Sequence, residues 1–322
     1  MTKVLVITNK SDLTSDFIIK KLKERQIPFY RFNTEELTKS VSISLNFQQG
    51  SYMLFDEIVN EYIDLKKITA VYFRRPELPI LDFTELTEGE ISFIRNEILF
   101  TLEGVYKILK DAYWISPVYA IREAENKIYQ LILAESLGLP LPKSIITNSA
   151  NKAEDFFTKN EDNCIIKPIK SGLVEGPVES KVVFTNHIKS LPQEKQKIEK
   201  CPVFFQNHIE KKADVRVTIV GKKVFTTLIS SQINETTKTD WRKGEVLLEH
   251  SKAILPDNLE KMCVLLLKHL GLKFGAIDFV LDKNDNYTFL EINPNGQWAW
   301  IEMQTGYEIS NEIVNLLIDE NF

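Results

Sequence analysis

Two apolar runs near the end of the chain are each interrupted by an acid: Asp278 in Gly275-Ala276-Ile277-Asp278-Phe279-Val280, and Glu291 in Phe289-Leu290-Glu291-Ile292-Asn293. Between them, Lys283-Asn284-Asp285-Asn286 suits a four-residue hairpin loop. That loop would set Asp282 opposite Tyr287, Val280 opposite Phe289 and Asp278 opposite Glu291. Side chains alternate along a strand, so Asp278, Glu291 and Asn293 are expected on one face. Two carboxylates about 4 Å apart repel by about 1 kcal/mol in water and about 4 kcal/mol at an effective dielectric near 20. A cation held by both reverses the sign. Oxygen donors with an amide as the third suit Mg²⁺, or Mn²⁺, and Mg²⁺ commonly shares its shell with nucleotide phosphates. The competing reading pairs the acids with lysines, for which Lys273 and Lys283 are near in sequence.

Phosphates would need cationic partners. The chain has neither GxxxxGK[ST] nor GxGxxG, so a P-loop or Rossmann site is unsupported. Lys167 stands inside the apolar run Cys164-Ile165-Ile166-Lys167-Pro168, and a buried lysine needs an anion. An edge position with the ammonium in water is the simpler reading of that residue alone. Lys127, on an expected helix, would by itself be a surface residue. Gln206, Asn207, His208 and Ile209 form an extended segment whose bare N–H and C=O groups could read an adenine edge. Asp214 and Arg216 alternate with Val215 and Val217 and so share a face. The acid could take ribose hydroxyls, and the arginine could neutralise a phosphoryl group in transfer; alone they would pass as a surface ion pair.

The elements that must position these residues read as α/β. Val4–Thr8 is an expected strand, 11–25 a helix, Pro28–Phe32 a strand, and 42–47 with 53–55 a hairpin. Ala70–Phe73 is a strand ending in Arg74-Arg75-Pro76. The spacing of Ile91, Ile94, Ile98, Leu102, Val105 and Leu109 predicts a helix over 85–110. One helix is expected over 122–137, stopped by Gly138, then strands over 144–147, 164–169 and 181–184. The Lys-rich stretch 187–200 reads as a solvated surface. Strands are expected over 203–206, 215–220 and 223–230, with Gly221 turning between the last two. A helix over 259–270, the acidic hairpin and a helix over 308–318 complete the chain.

With 322 residues, two or three subdomains are expected: 1–118, 119–200 and 201–322. A net charge of −5 argues against a general nucleic-acid partner. Cys164, Cys201 and Cys263 are scattered and odd in number, which argues against zinc and against a disulfide scaffold. No run approaches the roughly 18 apolar residues of a membrane span, and the opening apolar run is short for a signal peptide. The expectation is a cytoplasmic protein.

In order along the chain, Lys127 before "GLPLP", Lys167 in "CIIKP", "FFQNHIEKKADVRV", "GAIDFV" and "FLEINPNG" resemble the ATP-grasp ligases from about residue 119 onward. Over nearly the whole chain, "VYFRRPE", "DVRVTIVGKKVF", "SSQINETTKTDWRKG" and "EINPNGQW" look like the graspetide synthetases, the microviridin-type maturases of ribosomal peptides. The resemblance implies an ATP-grasp fold in which two subdomains clasp ATP behind an N-terminal α/β domain. It implies that Lys127 and Lys167 touch phosphates, that Gln206–Ile209 hold adenine, and that Asp278, Glu291 and Asn293 bind two Mg²⁺. Arg216 would stabilise an acyl phosphate, Arg242 would hold the substrate carboxylate or the leaving phosphate, and Arg74, Arg75 and Asp240 would meet substrate. The implied reaction phosphorylates an Asp or Glu side chain of a precursor peptide. A Ser or Thr hydroxyl, or a Lys amine, then closes an ester or amide ring. The implied partner is a leader-plus-core peptide, with 171–200 as candidate leader dock, and a homodimer is compatible with the resemblance. The loop after Lys167 is poorer in glycine than the family's lid, with Gly172 and Gly176 alone. Two other readings share the nucleotide residues: a ligase that adds an amino acid to a peptide or small metabolite, and a non-catalytic nucleotide-binding regulator.

Overall fold

The computed structural model describes residues 3–80, 86–170, 172–174, 181–192, 196–233, 237–241 and 248–319. The N-terminal region contains β1 (Val4–Thr8), α1 (Leu13–Glu24), β2 (Phe29–Asn33), β3 (Val41–Asn46), β4 (Ser51–Asp56), β5 (Glu61–Asp64), β6 (Ala70–Phe73), α2 (Glu88–Ile108) and β7 (Tyr113–Ile115). A parallel sheet runs β2-β1-β6-β7, and β3-β4-β5 form a separate antiparallel sheet. The expected hairpin over 42–55 thus gains a third strand. β1 is buried throughout, as its β-branched composition demands of a strand covered on both faces. Thr87 and Glu90 form a capping box at the start of α2, which buries Ile98, Leu102, Val105 and Tyr106.

The middle region contains α3 (Val118–Ala124), α4 (Lys127–Ser136), β8 (Ser144–Thr147), α5 (Ala150–Lys159), β9 (Cys164–Lys167), β10 (Leu173–Val174), β11 (Lys181–Val182), β12 (Asn186–Ile188), α6 (Gln196–Glu199) and β13 (Val203–Asn207). The single helix expected over 122–137 is two. Asn126 breaks it, its side chain accepting from the N–H of Ile128 and of Tyr129 and capping α4. β12-β9-β13-β8 form an antiparallel sheet, and β10 pairs with β11. β13, expected to open the last region, hydrogen-bonds within this sheet. The stretch 187–200 is less solvated than expected: β12 pairs with β9, and Ile198 packs with Ala153 and Phe205.

The last region contains β14 (Lys211–Val220), β15 (Lys223–Ile229), β16 (His250–Ala253), α7 (Asp257–His269), β17 (Phe274–Asp282), β18 (Tyr287–Asn293), α8 (Ala299–Thr305) and α9 (Ile309–Ile318). Its antiparallel sheet runs β16-β15-β14-β17-β18. Alternation divides each central strand: Val215, Val217 and Ile219 of β14 and Ile277, Phe279 and Leu281 of β17 enter one core, leaving Asp214, Arg216 and Asp278 for the other face. A second core joins Val4 and Val6 of β1 and Ile18 and Leu22 of α1 to Trp298, Ile309, Ile313 and Leu317. Among the described residues, no helix is long and apolar enough to cross a membrane. The expected α/β class is borne out.

The junction between the first and last regions includes one buried ion pair. Arg74, at the end of β6, is 1% exposed and sits 3.1 Å from Asp12, which is 8% exposed. Thr8 and Ser15 hydroxyls also donate to Asp12. Removing one partner strands the other charge. Asp12→Ala is expected to cost about 3–5 kcal/mol, read as a fall in the urea unfolding midpoint.

Candidate active site

Three neighbouring strands lay charged side chains in a row. Arg216 on β14 lies opposite Asp278 on β17, and Asp278 opposite Glu291 on β18. The expected facing of Asp278 and Glu291 is present, but the path to it differs. The loop is three residues, not four: Asp282 N–H donates to Asn286 O at 3.0 Å, and Asp285 takes φ 61°. The strands therefore start one residue out of the expected register, with Leu281 opposite Tyr287 and Val280 opposite Thr288. A bulge between Asp278 and Phe279 on the ladder, where Leu290 is the extra residue, restores Asp278 to Glu291.

Cations close the row at both ends. Arg216 Nη1 donates to both Asp278 oxygens, at 2.7 and 2.8 Å. Lys127, at the start of α4, places Nζ 2.9 Å from Glu291 Oε2 and 3.2 Å from Pro168 O. Lysine or arginine pairing of the acids is thus present, though not through the residues expected. Lys283 instead pairs with Glu210 at 2.7 Å, and Lys273 lies over the Tyr113 ring. Gln130, buried on α4, binds the backbone of β18 as a strand would: it donates to Ile292 O at 2.8 Å and accepts from Ile292 N–H at 3.0 Å. This side chain ties α4, and hence Lys127, to the edge strand that carries Glu291.

The row forms part of a cleft of about 500 Å³ between the middle sheet and the five-stranded sheet. Lys127, Lys167, Gln206, Asn207, His208, Ile209, Asp214, Asp240, Asp278, Glu291 and Asn293 all line it. Arg216 lies beneath at 6% exposure, and its Nε has no partner. Lys167, on β9, sits 4.9 Å from the Phe204 ring. Asn293 is exposed, and its Oδ1 accepts from Asn295 N–H at 3.0 Å, which leaves it a second lone pair. Among the described residues, no group of three or more His, Cys, Asp or Glu could hold a metal. The two carboxylates and the amide present hard oxygen atoms, of the kind magnesium takes together with phosphate.

The hinge is less bare than its sequence suggests. Asn207 N–H donates to Lys143 O and His208 N–H to Asn163 O, each at 3.0 Å. Gln206 is buried and donates to Ser144 Oγ. Among the described residues the backbone of Ile209 makes no hydrogen bond, and Asn207 Oδ1 is buried without a partner. Burial, then the neighbouring His187, holds His208 below the usual histidine pKa.

Lys211 escaped the sequence reading. It is 9% exposed and places Nζ 2.8 and 2.7 Å from the two oxygens of Asp214. Burial pushes the Asp214 carboxyl upward, and Lys211 opposes that shift. Plain alternation from Asp214 and Arg216 would put Lys212 on the cleft face; a bulge between Lys211 and Ala213 makes Lys212 the extra residue, turns Lys211 inward and leaves Lys212 paired with Asp285. Glu125, at the break between α3 and α4, also lines the cleft, and burial raises its pKa. Neither Arg74 nor Arg75 lines the cleft: Arg74 is buried under the loop after Asn293, and Arg75 is exposed. Arg242 lies outside the described residues.

This arrangement is that of an ATP-grasp ligase, and the comparisons agree. A RimK-like ATP-grasp domain matches residues 124–317, so the chain belongs to that family, and an MvdD pre-ATP grasp domain matches residues 3–122. A Chryseobacterium gregarium RiPP-associated ATP-grasp ligase, solved in complex with ADP and a leader and core peptide, superimposes with a TM-score of 0.90 at 29% identity, over 99% of this chain and 97% of that one. The macrocyclase MdnC of Microcystis aeruginosa MRC, bound with precursor peptide MdnA, gives a TM-score of 0.85 at 25% identity, over 99% of this chain and 100% of that one. Among curated proteins, the tetrahydromethanopterin:alpha-L-glutamate ligase of Methanocaldococcus jannaschii is 24% identical over 238 residues, 71% of this chain and 76% of that protein.

Because the folded state binds a proton at His208 less readily than the unfolded chain, the unfolded state gains protons first as pH falls. His208 therefore subtracts stability as pH is lowered below about 6.5. An NMR titration of the His208 ring is expected to give a midpoint below that of a free histidine, and His208→Gln to flatten the acid loss of stability.

Proposed function

We propose that the protein is an ATP-dependent macrocyclase acting on a ribosomal precursor peptide. It activates an Asp or Glu side chain as an acyl phosphate, and a Ser or Thr hydroxyl or a Lys amine displaces phosphate to form an ester or amide ring. The observation that carries the ligase chemistry is the row Arg216–Asp278–Glu291–Lys127 along the cleft. The peptide class is supported by likeness to peptide-bound ligases over 99% of the chain, the N-terminal region included.

Phosphoryl transfer needs positioning and charge neutralisation more than covalent chemistry. Asp278, Glu291 and Asn293 would hold magnesium, as two ions, with manganese also meeting the donor set. Bound there, the metal supplies positive charge to the phosphates. Lys127, beside Glu291, and Lys167, from the middle sheet, bind phosphate oxygens. The backbone of Ile209 and the orphan acceptor of Asn207 receive the adenine edge, with Gln206 and His208 shaping the pocket. Asp214, held by Lys211, faces the ribose. Arg216 neutralises the acyl phosphate, with Arg242 at the substrate carboxylate or leaving phosphate and Asp240 and Arg75 towards substrate. We divide the chain into 1–118, a middle region that runs through β13, and a last region from β14 onward, and we read it as a cytoplasmic protein. Its three free cysteines are in keeping with a reducing compartment.

Leader recognition we place on the ribbon of β10 and β11. Leu173, Val174, Val182 and Val183 are 51, 54, 55 and 45% exposed there. A leader segment with an apolar stripe would cover them. Leu173→Ser with Val182→Ser is expected to weaken leader binding several-fold in fluorescence anisotropy while ATP binding is kept; unchanged leader affinity removes the assignment.

The curated glutamate ligase supports a second reading, addition of an amino acid to a small acceptor. Mass spectrometry separates the two: ring closure removes one water per bond, whereas ligation adds a residue. Glu291→Gln is expected to abolish ADP release with precursor peptide while the circular dichroism spectrum is kept. Arg216→Ala is expected to retain nucleotide and lower turnover by about 10²–10³. Wild-type turnover in either variant removes that role.

A further inference from the structure

The resemblance places Arg74 among substrate contacts, yet its burial gives it another task. Its Nε is held by Asp12, and its Nη1 donates to Asn295 O and to Gly296 O, each at 3.0 Å. Those two carbonyls belong to the loop that leaves β18 directly after Asn293. The same loop turns back on Asn293 twice: Asn295 N–H donates to Asn293 Oδ1 at 3.0 Å, and Gly296 N–H to Asn293 O at 3.2 Å. On its far side the loop is pressed against β17. A Cβ on Gly296 would lie 2.4 Å from Ala276 Cβ and 3.5 Å from Arg216 Nη2. The loop therefore has no slack towards the sheet and is gripped from behind by one guanidinium.

We propose that Arg74 is a positioning residue for the metal site: by fixing the Asn295 and Gly296 peptides it aims the Asn293 carboxamide, and so tunes cation affinity from the N-terminal domain. The inference rests on the reading of Asn293, Asp278 and Glu291 as metal donors. One peptide separates the arginine from the carboxamide, because the unit whose carbonyl Arg74 holds is next to the one whose N–H holds Asn293 Oδ1. Partners that orient a metal ligand commonly carry 10–100-fold in metal affinity. Arginine is the residue for the post. Its planar fork keeps Nε on Asp12 while Nη1 spans two carbonyls, which a lysine ammonium on a flexible stem does not reproduce. Gly296 is part of the same device, since only a residue without Cβ lets the loop sit this close to Ala276.

The test uses Mn²⁺ as probe, its free concentration read by electron paramagnetic resonance in the presence of ADP, on the full chain. Arg74→Lys is expected to keep the charge beside Asp12 and weaken Mn²⁺ binding on the order of 10–100-fold. The KM for metal should rise more than the KM for ATP. Thr87→Ala, which removes the cap of α2 far from the loop, is the stability control; it is expected to lower the melting temperature and leave Mn²⁺ affinity unchanged. Should Arg74→Lys fail to fold, Asn295→Pro deletes the amide that holds Asn293 Oδ1 and is expected to weaken Mn²⁺ in the same way. Wild-type Mn²⁺ affinity in the folded Arg74→Lys, or in Asn295→Pro, overturns the inference while Asp278→Asn and Glu291→Gln still lose the ion. If those two carboxylate variants also bind Mn²⁺ as wild type does, the metal-site reading itself fails.

Discussion

Two carboxylates face one another across adjacent strands, and the rest of the site answers that repulsion. On the face of a sheet whose reverse is packed into the core, Asp278 and Glu291 each need positive charge close at hand. Arg216 comes from the next strand in the same register, so the sheet itself supplies it. Lys127 comes from a helix, and needs machinery to arrive. Asn126 must end one helix and start another, and Gln130 must fasten that helix to an edge strand. Both ammonium and guanidinium thus hold acidic side chains that a divalent ion and phosphates can compete for. An anionic ligand entering the cleft finds cations already gathered there, at the expense of contacts they make now.

The second strong constraint is space. The loop after Asn293 passes so close to β17 that a single methyl group would collide with Ala276. Arg74, Asp12, Thr8 and Ser15 lie behind it in a buried polar cluster. Such a cluster is costly to bury; its members hold one another at the carboxyl end of β1 and the start of α1, with Arg74 Nη2 left without a hydrogen-bond partner. The N-terminal sheet thus backs the loop beside the cleft although, among the described residues, none of its side chains lines that cleft.

Much of this could be read from residue order alone, and the failures have physical causes. Strands such as β1, β6 and β8 were legible to the residue because their composition is unambiguous. The facing of Asp278 and Glu291 was legible through two opposing errors: a loop one residue too long, and a bulge at Leu290 unforeseen. Neither the αL conformation of Asp285 nor the bulge leaves a glycine as a marker. The break before Lys127 was missed because apolar spacing runs through it, although Asn126 carried a capping signal. Lys211 was passed over because a bulge beside it, which residue order does not mark, turns it onto the face of Asp214, and Gln130 because the backbone of Ile292 becomes its neighbour only when the helix docks. Arg74 was placed at substrate through the resemblance carried by "VYFRRPE", which does not distinguish it from Arg75. Only burial reveals which of the pair turns inward.

The packing of α9 has a mechanical corollary. That last helix lies against α1 and β7, so the chain's two ends are welded into one body through Trp298, Ile309, Ile313 and the inner face of the first sheet. Among the described residues, the middle sheet has a small core of its own, around Ala153, Ile198 and Phe205. The molecule is thus a heavy anvil with one light jaw. With its apolar anchoring so light, the jaw is where local opening of the cleft is expected to cost least, while the acids and Arg216 stand on the anvil.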